Sequence, residues 1–470
     1  MVLLSVTAFA QHNLGIATSN WSCMISLNLN PANIAESREK KAVNLFSFSM
    51  GVDNNVGPLN AGQGLFVAVG DGKSNNMFTY TNNSKVSMHA PQVDITGPGV
   101  LLKVDDKHTV AFTTRIRGMN QFNNFDQTLF HTFNDPKFRT TENILASTTD
   151  FTYTVHLWSE IGFTYGGVFF DNGIHKIKAG GTVRYLGGIA YVGVDGNTLD
   201  ANFTAGKDTF YAGNTDIRYS SNILNTKSSA GSNISSGFFS LLYKGKFGHG
   251  IGADLGVVYE YKPTEEVLEK NVPEEDRKKA ARSKLKKTKK EVGYRARFSL
   301  ALCDVGTVHY NKNKNATEYI TGGGYVTGAG ILNKVKNLDD LKQYATKRGL
   351  AADIRQEAVA LYMPMHMVVG GDYHIQKHYY ANVTLLVNLA GRNRLGNSYY
   401  NQLTVTPRYE TKKVTVGLPL TYSTLSHRFK AGLGVLAGGL FVGSDDMLAF
   451  MLKSEYGISF YAGLNVPIYK

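Results

Sequence analysis

The chain has 470 residues, and tyrosine (26), phenylalanine (25) and glycine (49) are abundant, whereas proline (11) and tryptophan (2) are few. This composition favours aromatic-rich strands over helices. No apolar run approaches the roughly 18 residues of a membrane-spanning helix, so a membrane-spanning protein with this sequence has to be a closed barrel. The net charge of +13 does not indicate nucleic-acid binding, because much of the excess lies in one segment, residues 277–290.

The N-terminus resembles the end of a signal peptide. An apolar stretch leads to Ala8-Phe9-Ala10 before Gln11, which is an A-x-A cleavage pattern. The charged n-region is missing, so an apolar N-terminus that is not cleaved is the alternative. We expect residues 1–10 to be a signal-peptide remnant, 11–42 an N-terminal periplasmic or plug segment, and 43–470 an outer-membrane β-barrel.

Strand candidates begin at residues 43–52. A loop rich in Gly and Asn is expected as far as Pro91, and residues 93–104 and 109–119 then form a hairpin. Within it, Gly97-Pro98-Gly99 predicts a bend rather than the end of a strand. Residues 120–152 are predicted to be a long polar loop.

Residues 153–192 form the clearest hairpin, with its turn at Asp171-Asn172-Gly173. The side chains alternate with a period of two, which places the apolar set on one face and the polar set on the other. Apolar-out, polar-in alternation with aromatic residues at the ends is typical of a transmembrane β-barrel. A soluble sandwich or barrel has the same period, but its strands are usually shorter. The polar face includes Thr154, His156, Trp158, Glu160, Thr164, Lys176, Lys178, Thr182 and Arg184.

The rest of the chain predicts an exposed loop at 193–232, one helix at 338–348 within a long excursion over 311–360, and further strands. The strand candidates are 238–246, 251–262, 292–302, 305–310, 363–375, 379–389, 401–409, 414–422, 429–442 and 457–466. All candidates together number about fifteen, whereas single-chain bacterial barrels have even numbers. We therefore predict an all-β fold: a transmembrane antiparallel β-barrel of about 14 strands with long extracellular loops. The counting error is expected between residues 311 and 430.

Motifs for catalysis or cofactor binding are weak. Gly432-Leu433-Gly434 has the glycine spacing of a dinucleotide site, but no helix is predicted to open there. His366, His374 and His378 lie on a strand and its turn rather than at the spacing of metal ligands. There is no G-x-S-x-G, H-E-x-x-H or C-x-x-C motif. We predict no enzymatic activity, no cofactor and no metal.

A basic segment interrupts the second half of the chain. In an extracellular loop it would contact lipopolysaccharide phosphates or an acidic partner; a solvated helical loop is the alternative. Its basic residues are Arg277, Lys278, Lys279, Arg282, Lys284, Lys286, Lys287, Lys289 and Lys290.

Alternation also predicts a strongly charged lumen. Charged groups cannot lie in a dry apolar cavity without partners. The barrel interior is therefore expected to be either a hydrated channel or a lumen closed by ion pairs and inward-folded loops. The predicted lumen network consists of Arg115, Arg117, His156, Glu160, Lys178, Arg184, Asp254, Glu260, Arg295, Arg297, Asp372 and Arg408.

Several stretches resemble the FadL-like barrels of Bacteroidota outer membranes. They are Asn30-Pro31-Ala32 and residues 94–99, 178–188 and 252–256. The closing stretch 461–468 is most similar to barrels that precede an OmpA-like peptidoglycan-binding domain. The resemblance implies a fourteen-stranded barrel in the bacterial outer membrane. It also implies one of two roles: a carrier of hydrophobic molecules, or a subunit of a secretion or assembly complex.

The charged lumen departs from the apolar interior that a lipid carrier needs. We therefore predict a non-enzymatic scaffold or subunit of an outer-membrane protein complex, anchored to the cell wall by a further C-terminal domain. The expected partners are outer-membrane lipid and lipopolysaccharide, other outer-membrane proteins, and peptidoglycan. A FadL-like transporter or channel for hydrophobic or small solutes is the alternative.

Overall fold

The structure is a computed structural model, and it describes residues 13–59, 78–81, 83–134, 144–204, 207–220, 242, 247–263, 293–311, 318–327, 338–391, 395–447 and 456–469. In this part of the chain, 21 strand segments form one sheet. The first eleven are β1 (Lys41–Asn54), β2 (Lys85–Thr96), β3 (Gly99–Lys103), β4 (His108–Asp126), β5 (Ile144–Asp171), β6 (His175–Thr204), β7 (Lys207–Tyr219), β8 (Gly248–Tyr261), β9 (Ala296–Tyr310), β10 (Glu318–Thr327) and β11 (Ala351–Arg355). The others are β12 (Val359–Tyr362), β13 (His366–Gln376), β14 (Tyr379–Asn388), β15 (Gln402–Glu410), β16 (Val414–Gly417), β17 (Leu420–Ser423), β18 (Arg428–Ala431), β19 (Leu433–Ala437), β20 (Leu440–Ser444) and β21 (Gly457–Ile468).

The sheet closes into a barrel because β21 pairs antiparallel with β1, from Lys41 opposite Ile468 to Asp53 opposite Gly457. Four barrel strands consist of two segments in line: β2 with β3, β12 with β13, β16 with β17, and β18 with β19. Pro98, Pro364 and Pro419 lie at three of these breaks, where proline cannot donate a ladder hydrogen bond. The predicted antiparallel barrel of 14 strands is confirmed.

The outer surface carries an apolar band. Phe163, Val183, Ile251, Leu255 and Leu300 point outwards and are 50–71% exposed, as side chains that meet lipid should be. Hydrogen-bonded Tyr–His pairs border the band. They join Tyr165 to His108 and Tyr259 to His175 at one margin, and Tyr185 to His249 at the other. The ten residue steps from His249 to Tyr259 on β8 measure about 33 Å along the strand, or about 25 Å at a barrel tilt of about 40°, which matches the apolar band of such barrels.

Short connections define one end of the barrel. They are residues 104–107, 172–174, 377–378, 411–413 and 438–439. The beginning of β1 and the end of β21 lie at the same end of the barrel. In bacterial barrels this is the periplasmic end. The basic segment 277–290 lies outside the described residues, but it connects β8 to β9, whose adjoining ends, Tyr261 and Ala296, pair at this same end. The predicted contact of this segment with lipopolysaccharide or an acidic partner therefore stays a prediction.

The predicted total of fourteen was right, but the counting errors did not lie where we expected. Predicted strands 292–302 and 305–310 are one strand, β9, which bends at Asp304 with a φ of 56°. Predicted strand 429–442 is two barrel strands joined by a turn in which Gly438 has a φ of 66°. Most of predicted strand 238–246 lies outside the described residues. Both edges of β8, the next strand along the chain, are occupied by β6 and β9.

Three segments predicted to be loops contain strands. β2 begins at Lys85, β4 and β5 extend into 120–152, and β6 and β7 occupy most of 193–219. These parts extend beyond the lipid band, where neither face of a strand meets lipid and the apolar alternation disappears. There β7 pairs with the extracellular half of β6, and β10 and β11 extend the same sheet. The helix predicted at 338–348 is confirmed as Leu338–Lys347.

The N-terminal segment lies inside the barrel. Residues 13–36, called the plug below, contain α1 (Leu14–Ala17), α2 (Cys23–Ser26) and a 3₁₀ helix (Pro31–Ile34). Most plug residues are buried, and the helices contact the inner faces of β5, β6, β8, β16 and β19. None of the helices in the described segments is long and apolar enough to span a bilayer.

Candidate functional site

The plug rests on a row of glycines on three adjacent strands. A Cβ atom at Gly180 of β6 would lie 2.6 Å from the Pro31 carbonyl oxygen, and one at Gly166 of β5 would lie 3.0 Å from the Ala35 nitrogen. At Gly256 of β8 it would lie 2.0 Å from the side chain of Asn30. The 3₁₀ helix therefore packs directly on the strand backbones, which only glycine permits.

Asn30 fixes this helix in two ways. Its Oδ1 accepts a hydrogen bond from the Ala32 nitrogen at 2.8 Å, which is an N-cap. Its Nδ2 donates to the carbonyl oxygens of Val257 (3.2 Å) and Leu300 (3.1 Å) on the barrel wall. Asn30-Pro31-Ala32 and the glycines at 180 and 256 lie in the stretches that resemble FadL-like barrels, and the structure brings them into contact.

The start of the plug is held by Asp445, which follows β20. Its carboxylate accepts hydrogen bonds from the backbone nitrogens of Leu14 (3.0 Å) and Gly15 (3.2 Å). Apolar side chains on α1 and α2 add a buried cluster with Leu436, Phe441 and Tyr461.

Four charged residues, the arginine cluster, hold the middle of the plug: Arg297, Arg408, Asp372 and Glu410. Arg297 donates to the Thr18 carbonyl oxygen (2.9 Å) and to Asn20 Oδ1 (3.1 Å), and it pairs with Asp372 at 2.8 Å. Arg408 pairs with Asp372 at 2.5 Å and also with Glu410. These side chains are buried or nearly so, and each pairs with an opposite charge, as buried charges must.

A second group, the lysine cluster, holds the end of the plug. Glu36 pairs with Lys176 at 2.5 Å and with Lys178 at 3.3 Å, and Lys178 also pairs with Glu260 at 2.7 Å. Burial alone would raise the pKa of Glu36, but Lys178 and Lys176 outweigh burial and lower it, so Glu36 is charged at neutral pH.

A third group, the central ion cluster, crosses the lumen on the extracellular side of the plug. Arg117 Nη1 lies 3.1 Å from Glu160 and 2.8 Å from Asp304, and Arg184 Nε lies 3.3 Å from Glu160. Asp254 pairs with Arg184 and also accepts the backbone N–H of Asp304 at 2.8 Å. The members are Asp94, Arg115, Arg117, Glu160, Arg184, Asp254 and Asp304.

Beyond these charges the lumen contains an apolar and aromatic layer, called the apolar cluster. Trp158 joins the two layers: its Nε1 donates to Glu160 at 2.7 Å, and the Arg117 guanidinium lies 4.9 Å above its ring. The buried members are Met119, Trp158, Leu186, Tyr191, Val308, Tyr310, Val359, Leu361, Met363, Leu386 and Tyr399. This layer was not predicted from the sequence.

Residues 395–400, the strap, fold into the lumen from the extracellular end. Tyr399 Oη accepts a hydrogen bond from Arg117 Nη2 at 2.6 Å. Asn397 Nδ2 donates to the Thr154 carbonyl oxygen at 3.1 Å, and the Ser398 nitrogen donates to Gln121 at 2.9 Å. The described lumen is thus closed by the plug on the periplasmic side and by the strap on the extracellular side.

Small cavities lie inside the described part of the barrel. Two cavities in the described part of the barrel measure about 40 and 20 Å³. The larger lies between Asp53, His89, Leu386 and Tyr399, and the smaller lies beside the plug at Asn30. A cavity that binds benzene measures about 150 Å³, so each of these two spaces is several times smaller than an aromatic solute requires. Among the described residues, no group of His, Cys, Asp and Glu could hold a metal ion.

Eleven of the twelve predicted network residues lie in the lumen. Arg115, Arg117, Glu160, Arg184 and Asp254 belong to the central ion cluster, Lys178 and Glu260 to the lysine cluster, and Arg297, Asp372 and Arg408 to the arginine cluster. His156 stacks on Trp158 at 4.6 Å.

Arg295 was placed wrongly. It donates to the Ile375 carbonyl oxygen, and its guanidinium lies 4.7 Å above Tyr373, whose side chain is 45% exposed on the outer surface. Regular strand geometry begins only at Ala296, so the alternation does not extend back to this residue. The preceding residue, Tyr294, is buried, and its hydroxyl donates to Asp372 at 3.1 Å.

Five residues that complete the clusters were missed. Asp304 was assigned to a turn, but a bulge directs both it and Cys303 inwards. Glu410 was also assigned to a turn. Glu36 and Tyr399 were missed because they belong to the plug and the strap and not to the barrel wall. Asp94 faces inwards on β2 opposite Arg117, and its charge within an apolar strand is a signal that alternation could have used.

The closed barrel, its lipid-facing band and its charged interior define an integral β-barrel protein of the bacterial outer membrane. Residues 31–445 match the family of unknown function DUF5723, and the chain belongs to this family. Comparison with curated proteins finds no match.

The chain is also similar to solved barrels. A FadL homologue of Pseudomonas aeruginosa is 10% identical with a TM-score of 0.38, and the match covers 98% of this chain and 96% of that one. The toluene transporter TbuX of Ralstonia pickettii is 9% identical with a TM-score of 0.41, covering 98% and 99%. The monoaromatic hydrocarbon channel CymD is 10% identical with a TM-score of 0.40, covering 97% and 94%. Values this low describe a general likeness of the barrels and do not bear on function.

Proposed function

We propose that this protein is a gated outer-membrane transporter for small, mainly apolar solutes, and that the structure is its closed state. The observation that carries the proposal is the apolar cluster inside the barrel. A water-filled channel has a polar interior, whereas this lumen buries eleven apolar and aromatic side chains on the extracellular side of its ion pairs. The strongly charged lumen, which favoured a scaffold, is only one part of the barrel interior.

The means of closure also support a transporter. A barrel of fourteen strands is wider than side chains alone can fill, so a permanently closed lumen needs a separate segment inside it. In the described residues, the contacts between this segment and the wall are hydrogen bonds, ion pairs and packing. The plug is therefore able to move while the wall stays intact.

A reversible lock tests the proposal. Ser19 Oγ in the plug lies 3.1 Å from Thr415 Oγ1 in the wall, so Ser19→Cys combined with Thr415→Cys places two thiols in position for a disulfide. Uptake of radiolabelled p-xylene is then measured in cells that carry the protein in the outer membrane. We expect oxidised cells to take up less label than cells treated with dithiothreitol, and the wild-type chain under the same two conditions is the control.

Two results would contradict the proposal. One is uptake by cells with the wild-type protein that is no faster than uptake by cells without it. The other is equal uptake by the oxidised and reduced double-cysteine protein after mass spectrometry has confirmed the disulfide.

A scaffold role is the second candidate, and the sheet beyond the lipid band supports it. β5 and β6 contain 28 and 30 residues, whereas crossing the bilayer takes about 9–11. Their outer halves, with β7, β10 and β11, form an extracellular extension that could bind another outer-membrane protein. Cross-linking in intact outer membranes followed by affinity purification tests this role. Recovery of the protein alone would contradict it.

A further inference from the structure

We infer that the apolar cluster is a binding site for an uncharged, planar solute that carries a hydrogen-bonding group, and that His156, Tyr191 and Tyr310 recognise this group. The inference rests on the transport function proposed above and specifies the class of solute. It starts from polar atoms that the described structure leaves without partners.

Three such atoms lie in or against the apolar cluster. His156, Tyr191 and Tyr310 are at most 1% exposed. Within the described residues, His156 Nε2, Tyr191 Oη and Tyr310 Oη have no hydrogen-bond partner. Buried polar atoms are nearly always satisfied in native proteins, because each unsatisfied group costs free energy. Three together point to a partner that the described residues do not supply.

The three side chains form one surface. The Tyr310 ring centroid lies 4.5 Å from that of Tyr191 and 6.1 Å from that of His156, and His156 stacks on Trp158 with an interplanar angle of 28°. Gly188 makes room for this arrangement, because a Cβ atom there would lie 2.5 Å from Tyr310 Oη. Flat aromatic faces bind planar apolar groups well.

The neighbouring charges exclude a charged ligand. Arg117 already contacts Glu160, Asp304 and Tyr399, and Glu160 also pairs with Arg184. A carboxylate or an ammonium group would find no unpaired counter-charge among these described groups, and a buried charge without one is costly. Hydroxyl and imidazole groups are suited to an uncharged donor or acceptor such as a phenol.

The strap indicates how such a solute enters. The side chain of Tyr399 is itself a phenol ring, and it occupies the apolar cluster with its hydroxyl on Arg117 and its ring edge-on to His366 at a centroid distance of 4.7 Å. Withdrawal of the strap would free the volume of one such ring beside the 40 Å³ cavity that Tyr399 and Leu386 already border.

Binding of two matched probes tests the inference. p-Cresol and p-xylene have nearly the same shape, but only p-cresol can form hydrogen bonds. Trp21 and Trp158 are the two tryptophans, so in the full chain with Trp21→Phe the fluorescence of Trp158 reports binding. We expect p-cresol to bind about tenfold more tightly than p-xylene. Tyr191→Phe with Tyr310→Phe should weaken p-cresol about three- to tenfold and leave p-xylene unchanged.

Two further measurements make the test specific. Tyr165→Phe is the control, because its hydroxyl lies on the outer surface against His108 and its loss should change neither affinity. When both are measured without ligand, the Tyr191→Phe, Tyr310→Phe variant should also melt at a higher temperature than its parent, since it loses two unpartnered hydroxyls. A lower melting temperature would show that these hydroxyls have partners within the protein, which overturns the inference.

Failure of the inference and failure of the proposed function give different results. Equal affinity for both probes in the parent protein overturns the inference, and transport of p-xylene in the uptake test would still support the function. Absence of binding for both probes, together with no p-xylene uptake above background, overturns both.

Discussion

The row of glycines beneath the plug permits a test in which one methyl group is added. In Gly180→Ala the new Cβ would meet the Pro31 carbonyl oxygen at 2.6 Å and the Ala32 nitrogen at 2.7 Å. Both are backbone atoms, so no flexible side chain can yield. The 3₁₀ helix would have to move by about 0.8 Å to reach the 3.4 Å of ordinary contact, and overpacking of this kind costs about 1–3 kcal/mol.

The clash raises the free energy of the docked state of the plug and leaves that of the undocked state unchanged. At 1.4 kcal/mol per factor of ten, the population of barrels with an undocked plug should rise between about five- and 150-fold. Single-channel recording of the purified protein in planar bilayers measures this as open probability. Protease cleavage within the plug should accelerate by a similar factor if opening and closing are fast relative to cleavage.

The neighbouring glycine is a matched control. A Cβ at Gly181 would lie 3.5 Å from Leu255 Cδ2 and 3.6 Å from the Asp254 carbonyl oxygen, which is ordinary contact. Gly181→Ala has the same effect on the unfolded chain but does not touch the plug. A heat-modifiability gel shows whether both variants fold. Equal open probabilities in the two folded variants would refute the view that the plug rests on Gly180.

Three further predictions concern the charged groups and the strap. Arg297→Met removes a partner of Asp372 and of the plug, so it should destabilise the barrel by about 3 kcal/mol, measured by urea unfolding in micelles. Arg295→Met, on the outer surface, should cost under about 0.5 kcal/mol. Similar losses in the two variants would contradict the assignment of Arg297 to the arginine cluster. Burial raises the pKa of Glu39 from 4.5 to about 7, so its contribution is full below about pH 4.5 and is lost as the pH rises through 7. The wild type should therefore lose about 3 kcal/mol between pH 4.5 and 8 that Glu39→Gln retains, and identical pH profiles would refute this. Tyr399→Phe removes the hydrogen bond to Arg117 and should raise the open probability about three- to tenfold. Tyr409→Phe, whose ring points towards lipid, should leave the open probability unchanged. An unchanged open probability in Tyr399→Phe would show that the strap does not limit opening.

The wall of the barrel was predictable because its two faces meet different surroundings. Along β5, Phe163 and Tyr165 face lipid, and Thr164 and Glu160 face the lumen, so a period of two is visible in the sequence. The same pattern placed Arg184 opposite the charges of β5, and the Arg184–Glu160 pair is observed. The alternation of apolar and polar residues ends where the strands leave the lipid band, and for that reason the outer halves of β5 and β6 were assigned to loops.

The contents of the lumen were harder to predict because they depend on contacts distant in sequence. Asn30 meets carbonyl groups 227 and 270 residues away, and Arg117 meets Tyr399 at a separation of 282 residues. Local alternation has no information about such partners. The bulge at Asp304 reverses the alternation within one strand. The glycines at 166, 180 and 256 can be explained only from the structure, in which the plug packs against them.

The two closures of the lumen depend on different residues, although both connect to β9. Arg297, near the periplasmic end of β9, binds the plug, and Asp304, in the same strand, holds the Arg117 that binds the strap. The hydrogen bonds named above join the plug to Arg297 and the strap to Arg117, Thr154 and Gln121, so the two closures depend on different bonds. Two closures that open independently and in series have an open probability equal to the product of their separate probabilities. Under the proposed transport function, a solute that displaced only the strap would reach the apolar cluster while the plug still sealed the periplasmic side, and this order of events would allow selection of a solute before the barrel opens to the periplasm.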